Sequence, residues 1–417
     1  MLSPASKGWI NKYFDLLDKK EVSLSLYRPE GMRKLNFMHL TLSNSGIVYG
    51  HSLSFIFAKK IDSAGWTNEE KLKFLLFESH LFIYTQVNNK SIFNRHVFIK
   101  ELCSFYQNYS VNYISNLFKG FIKESEEQKV EKILSKRIEI KVNLLENKWW
   151  VNSLSNVFCF IDVILFDDFL HKEKSEALKS YQLFSYNAML SVILAARADG
   201  EVQTQERSIF NVFLASTGLE EKAREELKQK LKMGTTFNDF SFFIKSHWLL
   251  KRYLLDVAIL TALCNDRLLY EEKEFLDRFC DEFEIPKEEL EENINTAENF
   301  LIMSQNNVEF LKANSSYKKV YSSLTKRWRK IILRNREKLS EELSESKELI
   351  SLVKKSMHQE LTNEEKDLVK SQFKDVLKSV PSLAIFMIPG GAILLPLVLK
   401  IIPDLLPSAF KENQIDS

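Results

Sequence analysis

The sequence predicts an all-α protein. Glycine and proline are scarce, with 11 Gly and 8 Pro in 417 residues, and five of the prolines fall within residues 379–410. Elsewhere, charged and apolar residues alternate with the spacing of amphipathic helices. A chain of this length has room for two or three domains, and a hydrophobic content of 45% is enough for sizeable cores. We expect three helical parts, over residues 1–180, 181–305 and 306–417.

Composition argues against several classes of function. The formal net charge is only +2, so an anionic partner would have to be met by a local patch. The N-terminus has no apolar signal core, and nucleotide-binding, zinc-protease and nucleophile-elbow motifs are missing. We therefore expect no secretion, no enzyme activity, no small-molecule substrate and no specific DNA partner. Four scattered cysteines without metal-ligand spacing indicate a reducing compartment: Cys103, Cys159, Cys264 and Cys280.

The first part contains one clear helix start. Thr67-Asn68-Glu69-Glu70 has the pattern of a capping box and precedes an apolar run. The stretch 40–57 is compatible with a helix or with strands, and the sequence does not decide between them. Further helices are predicted over 91–120, 125–146 and 148–170.

The helix predicted over 148–170 carries two groups that a function could use. Trp149 and Trp150 could form a membrane or ligand platform, but we expect a buried pair that opens the helix. Asp162, Asp167 and Asp168 could suggest a carboxylate site. Because no partner motif accompanies them, we expect a solvated helix face. The sequence assigns no role to residues 1–180.

The middle part contains an internal repeat. Residues 193–219 align with residues 259–285 at an offset of 66. Each copy reads as an apolar helix, a short polar turn and an amphipathic helix. Small side chains on the apolar helices would let them approach closely. The repeat predicts two helical hairpins that form one compact bundle with internal pseudo-symmetry.

The first copy also carries an acidic motif. Residues 198–202 read Ala-Asp-Gly-Glu-Val, and Glu206 and Arg207 follow. This motif resembles the signature of the TerB (tellurite-resistance) family, which is associated with bacterial stress responses and, in some members, with metal binding. The resemblance implies that Asp199 and Glu206 supply hard oxygen ligands to a divalent cation, the one cofactor we consider. The alternative is structural: Asp199 and Gly200 make a turn, and Glu206 favours a helix N-terminus.

Residues 318–338 are the most basic stretch of the chain, and Glu337 is its one acidic residue. Interleaved apolar side chains predict a basic amphipathic helix. Three interpretations stay open: contact with the phosphates of RNA, a position on anionic lipid with Trp328 at the headgroup level, or an ordinary solvated face. The candidate binding residues are Lys326, Arg327, Trp328, Arg329, Lys330, Arg334 and Arg336.

An apolar stretch follows near the C-terminus. Residues 379–399 carry no charge, and a helix of that length would cross a hydrocarbon core of about 30 Å. Proline and paired glycine interrupt it, so we expect short apolar helices that enter a bilayer or are covered by protein. The membrane-associating residues would be Pro381, Pro389, Gly390, Gly391, Pro396, Pro403 and Pro407.

The order of motifs in this region is specific. Leu361-Thr362 is followed by Glu364 and Glu365, then by punctuating prolines, and residues 406–410 read Leu-Pro-Ser-Ala-Phe. This order resembles the ribosome-binding domain of the Letm family of mitochondrial inner-membrane proteins. The resemblance implies a bacterial Letm-related protein, a membrane-associated scaffold on the cytoplasmic face of the inner membrane that binds ribosomes.

Two alternative functions follow from the same motifs. The first is a metal-binding or stress-sensing module that acts through the TerB-like part. The second is a component of cation/proton exchange. We rank exchange last, because residues 390–393 read Gly-Gly-Ala-Ile where an acidic residue is expected in the mitochondrial members.

Overall fold

The computed structural model describes residues 2–88, 93–108, 124–139, 156–171, 177–263, 270–304 and 335–378, with a few single positions between 332 and 405. Over these residues the chain forms fifteen α-helices and no strand, which confirms the predicted all-α class. The first six are α1 (Trp9–Asp18), α2 (Lys34–Ser45), α3 (Asn68–Val87), α4 (Arg95–Asn108), α5 (Glu126–Ile138) and α6 (Cys159–Leu170).

The next six helices form the middle of the chain. They are α7 (Ala177–Ala196), α8 (Thr204–Ser216), α9 (Glu221–Met233), α10 (Trp248–Ala262), α11 (Tyr270–Glu282) and α12 (Lys287–Ser304). Two short 3-10 helices, Phe237–Asp239 and Phe242–Ser246, connect α9 to α10. The last three are α13 (Arg336–Glu345), α14 (Lys347–Ser356) and α15 (Asn363–Lys378).

The capping box at the start of α3 is confirmed. The Thr67 hydroxyl accepts a hydrogen bond from the Glu70 backbone N–H, and the Glu70 carboxylate accepts one from the Thr67 N–H. The described helices α4, α5 and α6 lie within the predicted ranges 91–120, 125–146 and 148–170. Trp149 and Trp150 lie outside the described residues.

The stretch 40–57, which the sequence left undecided, is the end of α2, a 3-10 turn at Ile47–Tyr49 and a loop. Gly50 ends the turn with φ +66°. A Cβ atom at Gly50 would lie 2.6 Å from the backbone of Val157. The chain therefore passes too close to the start of α6 for any side chain at this position.

A buried carboxylate holds the loop that follows. Glu78 of α3 accepts hydrogen bonds from the backbone N–H groups of Ile56, Phe57 and Ala58, at 2.6, 3.2 and 2.9 Å, and from the Tyr13 hydroxyl at 3.0 Å. Buried backbone N–H groups need hydrogen-bond acceptors. The Glu78 side chain supplies them to this loop, whose N–H groups at residues 56–58 are not part of a helix or sheet. Burial raises the pKa of Glu78 to about 7, although the hydrogen bonds oppose the shift.

One contiguous hydrophobic core extends from Leu2 to Leu301 and includes side chains of all helices from α1 to α12. Helix α10 packs along α7 and α12, and α3 packs along α6. The boundary predicted near residue 180 therefore does not coincide with a break in the core.

The internal repeat is visible in the helix bounds. Helices α7 and α10 end at Ala196 and Ala262, and α8 and α11 span Thr204–Ser216 and Tyr270–Glu282. Each of these three bounds recurs at the offset of 66 residues that the sequence alignment predicts. The equivalent residues Glu206 and Glu272 are both buried.

Helices α13, α14 and α15 pack against one another. Their buried side chains are not members of the core that ends at Leu301. They include Leu339, Leu343, Leu349, Val353, Val369 and Phe373. Among the helices that the structure describes, none is both long enough and apolar enough to cross a membrane. Most of the apolar stretch 379–410 lies outside the described residues.

The raised pKa of Glu78 predicts a pH dependence of stability. An unfolded glutamate ionises near 4.5, whereas folded Glu78 ionises near 7, so between these values the folded chain binds more protons than the unfolded chain. The free energy of unfolding should then fall as pH rises from about 4.5 to about 7, by at most about 1.4 kcal/mol per pH unit. Urea titrations at pH 5, 6 and 7 measure this.

Glu78→Gln should remove the part of this pH dependence that Glu78 causes. It should also lower the free energy of unfolding at every pH, because an amide has only one acceptor oxygen. Glu30→Gln, at an exposed loop position, is the matched control. Equal slopes for the wild type and Glu78→Gln would contradict the prediction.

Candidate functional site

Most of the predicted ribosome- or lipid-binding residues lie outside the described part of the chain. Arg336 is described: it is the exposed first residue of α13. Pro403 is the one described member of the predicted membrane-associating set, and it has helical conformation. Outside the described residues are Lys326, Arg327, Trp328, Arg329, Lys330, Arg334, Pro381, Pro389, Gly390, Gly391, Pro396 and Pro407.

The Leu-Thr motif forms a well-defined helix start. Thr362 accepts a hydrogen bond at its hydroxyl from the Glu365 N–H (3.2 Å), and the Glu365 carboxylate accepts one from the Thr362 N–H (3.0 Å). This is a capping box for α15. Glu365 also pairs with Lys355 at the end of α14, and these contacts lower the pKa of its carboxyl. Leu361 is buried directly before the cap. The motif thus joins α14 to α15 by packing, hydrogen bonds and one ion pair.

Helix α15 has one buried face and one charged face. The buried face carries Val369, Phe373, Val376 and Leu377. A polar contact supplements the packing, because the Ser346 hydroxyl donates to Gln372 Oε1 at 3.1 Å. The outer face alternates in sign: Lys370 pairs with Asp367 at 3.0 Å. The described surface of α15 is therefore mixed in charge. The most basic segment of the C-terminal part is the stretch 318–338 of the sequence.

Asp199 and Glu206, the predicted metal ligands, are used by the local fold. Asp199 accepts hydrogen bonds from the Glu201 N–H (3.2 Å) and the Gln203 side-chain amide (3.3 Å). Glu206 accepts one from the Gln203 N–H at 2.8 Å, at the start of α8. Gly200 has φ +98°. These contacts are the turn and the helix start of the structural alternative. Within the described residues, no group of three or more His, Cys, Asp or Glu side chains is placed to hold a metal ion.

The expected solvated face at Asp162, Asp167 and Asp168 is wrong. Asp162 is fully buried and receives two hydrogen bonds from the Arg137 guanidinium, at 2.6 and 2.7 Å. Asp168 contacts His247 at 2.8 Å, and burial raises the pKa of Asp167 to about 6. Helix α6 lies within the core, so its carboxylates must find partners there.

A second buried polar cluster joins three helices, and sequence reasoning missed it. His39 comes from α2, Arg252 and Asp256 from α10, and Glu289 and Asn293 from α12, and none of the five is more than 1% exposed. We call these five residues the buried polar cluster. Its members lie up to about 250 residues apart in the chain. The neighbouring contact between Arg33 and Glu289 spans a similar separation of 256 residues. No local pattern could have predicted it.

The charges of the buried polar cluster are paired. Arg252 lies 2.5 Å from Glu289, whose other oxygen contacts the partly exposed Arg33. Asp256 accepts a hydrogen bond from Asn293 at 2.6 Å and lies 2.7 Å from His39 Nε2. Burial lowers the pKa of His39, so its ring is neutral. These contacts fit the tautomer of His39 that carries its proton on Nε2. In this tautomer Nε2–H donates to Asp256, and Nδ1 accepts a hydrogen bond from Arg252 at 3.2 Å.

Together with the neighbouring Ser43, the buried polar cluster contains the chemical groups of a nucleophilic triad without its geometry. A serine–histidine–aspartate triad needs the serine and the aspartate on different ring nitrogens. Here the Ser43 hydroxyl (3.2 Å) and Asp256 (2.7 Å) both contact His39 Nε2. All three side chains are fully buried, so a substrate cannot reach them. The arrangement supports packing rather than catalysis.

Comparison with known proteins identifies one region. Residues 361–417 match the model of the family described as LETM1-like, RBD. The match begins at Leu361, the residue before the cap of α15, and confirms the Letm-like resemblance at the C-terminal end. No curated protein and no solved structure matches the chain. The TerB resemblance and the bounds 1–180, 181–305 and 306–417 stay predictions.

The buried polar cluster yields a stability prediction. Arg252→Met removes the one fully buried cation that faces Glu289 and His39, and breaking a buried pair typically costs about 3–5 kcal/mol. Arg33→Met, which removes the partly exposed contact to the same carboxylate, should cost less than about 1 kcal/mol. Chemical denaturation of both variants measures the difference. Adding Glu289→Gln to Arg252→Met should restore part of the loss, and equal effects of the two arginine variants would contradict the assignment.

The metal prediction has a direct test. If Asp199 and Glu206 hold a cation, calorimetric titration of the wild type with Ca²⁺, Mg²⁺, Mn²⁺ or Zn²⁺ gives a binding heat that Asp199→Ala and Glu206→Ala both abolish. Glu206→Ala also removes the acceptor for the Gln203 N–H, so circular dichroism must show that this variant is folded. Absence of any heat in the wild type would contradict the metal hypothesis.

Proposed function

We propose that this chain is a non-enzymatic protein that binds the ribosome through its C-terminal domain, and that it acts as a scaffold at the cytoplasmic face of a bacterial inner membrane. The observation that carries the proposal is the family match over residues 361–417. The matched segment begins with a capped helix, so its first part has a defined fold that a binding surface can be built on.

The described geometry supports the proposal in one further way. Helix α15 is fixed at its start by the capping box of Thr362 and Glu365 and by the Lys355 ion pair. Its apolar face is covered by α13 and α14. The basic stretch 318–338 leads into this three-helix unit and includes the first three residues of α13. A basic segment beside a folded helical unit is suited to an RNA-rich partner, since phosphate neutralisation releases counterions.

Membrane association rests on the sequence of the apolar stretch. Residues 379–399 carry no charge, and an apolar segment of this size is rarely left exposed to water. The scaffold role rests on the size of the remaining chain, since side chains from Leu2 to Leu301 contribute to one contiguous core.

Co-sedimentation with purified ribosomes tests the proposal. We expect the full-length protein to pellet with ribosomes at low salt and progressively less as salt rises, because the contact is with phosphates. Arg327→Glu, Arg329→Glu and Lys330→Glu, combined in one variant, should weaken pelleting by more than about tenfold, since like charges facing each other cost several kcal/mol.

The matched control reverses three exposed lysines on the N-terminal half: Lys19→Glu, Lys60→Glu and Lys100→Glu. It makes the same change in net charge and should leave pelleting unchanged. Retained binding by the 327/329/330 variant would place the interface elsewhere. Pelleting with anionic liposomes but not with ribosomes would overturn the ribosome proposal and leave a membrane-surface protein.

A further inference from the structure

A cleft lies between the end of α7 and α11, where the two copies of the internal repeat meet. Its volume is about 440 Å³, within the range that bound small molecules occupy. Two guanidinium groups and two carboxylates are among the groups that line it: Arg197, Arg278, Glu271 and Glu274. The cleft is therefore formally neutral, and a ligand that matches it in charge carries both signs.

The two cations lie on one wall of the cleft. Arg197 Nη1 donates hydrogen bonds to the carbonyl oxygens of Leu231 and Lys232, both at 3.2 Å. The Arg278 guanidinium lies over the Phe237 ring, 5.4 Å from its centroid. Both guanidinium groups thus lie against the chain where α9 leads into the following 3-10 turn. Neither takes part in an ion pair among the described residues, so both keep donors for an anionic group.

The two carboxylates lie at the start of α11. Glu271 and Glu274 are exposed, and neither carboxylate has an ion-pair partner within the described residues. Glu274 and Arg278 are four residues apart on one helix, a spacing that allows an ion pair, but the guanidinium lies over Phe237 instead. At a rise of about 1.5 Å per residue, Glu274 and Glu271 are about 6 and about 10 Å from Arg278 along the helix axis. The opposite charges are therefore separated along the cleft.

The repeat does not need these charges in order to fold. At the offset of 66 residues, the four charged positions correspond to uncharged residues of the opposite copies: Leu263, Gln205, Ser208 and Val212. Helices α8 and α11 nevertheless have equivalent bounds, as do the ends of α7 and α10. The charged set is thus a property of this one cleft and not of the hairpin that both copies form.

We infer that this cleft binds a short peptide of two or three residues with both termini free. The terminal carboxylate accepts hydrogen bonds from Arg197 and Arg278, and the terminal ammonium donates to Glu271 or Glu274. An extended chain spans about 3.3–3.6 Å per residue, so two or three residues cover about 7–10 Å, which matches the separation of the charges along α11. An apolar side chain of the peptide contacts Phe275, which also lines the cleft. The inference does not depend on ribosome binding by the C-terminal domain.

The test is equilibrium dialysis of the full-length protein against four labelled compounds. The probe is the dipeptide leucyl-leucine. N-acetyl-leucyl-leucine lacks the cation, leucyl-leucinamide lacks the anion, and free leucine keeps both charges but is too short. We expect saturable binding of the dipeptide and at least about fivefold weaker binding of each control compound, because each loses hydrogen bonds to a charged group.

Two variants assign the ends of the peptide to the two walls. Arg278→Gln should weaken binding of leucyl-leucine at least about fivefold and reduce its advantage over leucyl-leucinamide. Glu271→Gln combined with Glu274→Gln should weaken binding to a similar degree and reduce the advantage over N-acetyl-leucyl-leucine. All three substitutions are at exposed positions of α11, and circular dichroism checks that the helices are retained.

Matched control variants make the same changes on the exposed N-terminal surface. They are Arg28→Gln, and Glu21→Gln combined with Glu30→Gln, and both should bind leucyl-leucine as the wild type does.

Three results would overturn the inference. The first is the absence of saturable binding of leucyl-leucine by the wild type. The second is binding of any of the three control compounds as tight as that of the dipeptide. The third is unchanged dipeptide binding by the Arg278→Gln variant or by the 271/274 variant when its circular dichroism equals that of the wild type.

Discussion

The structure depends on the neutralisation of one buried cation. Arg252 is fully buried, and an unpaired guanidinium in that position would cost several kcal/mol. Its partners come from different parts of the chain: Glu289 from α12 and, through the ring nitrogen of His39, α2. Apolar packing alone would let these helices slide or rotate against one another. The hydrogen-bonded charges allow one arrangement, which places the N-terminal helices against the repeat.

A second buried charge pair joins helices in the same way. Asp162 of α6 is fully buried and holds the Arg137 guanidinium of α5 by two hydrogen bonds, and Tyr106 of α4 adds a third at 3.2 Å. Three of the described helices are again joined by one charge pair. Buried pairs of this kind contribute less to stability than apolar side chains of the same volume would. We infer that their value here is specificity: they determine which helices are neighbours in the core.

Local features of the fold were predictable from sequence, and long-range ones were not. The capping boxes at Thr67 and Thr362 follow from a spacing of three residues, so they can be seen in a short window. The repeat was visible because its two copies preserve the same pattern. By contrast, the environment of Asp162 depends on where α6 lies in the core, and the contact of His39 with Asp256 joins residues 217 positions apart. For the candidate site, the sequence located the matched segment, and the structure adds its first helix. The predicted contact residues Lys326, Arg327, Trp328, Arg329, Lys330 and Arg334 lie outside the described part of the chain.

The agreement of helix bounds between the two copies of the repeat has an evolutionary consequence. A duplicated unit that keeps its helix ends while its turns diverge can separate folding from function, because the helices carry the core and the turns are free to change. The first copy has Asp199-Gly200 at its turn, and the second has Asn265-Asp266 at the equivalent sequence positions, which lie outside the described residues. One turn can therefore acquire or lose a chemical role while its twin continues to support the bundle. Related chains should vary most at these turns and least in the length of the helices that flank them.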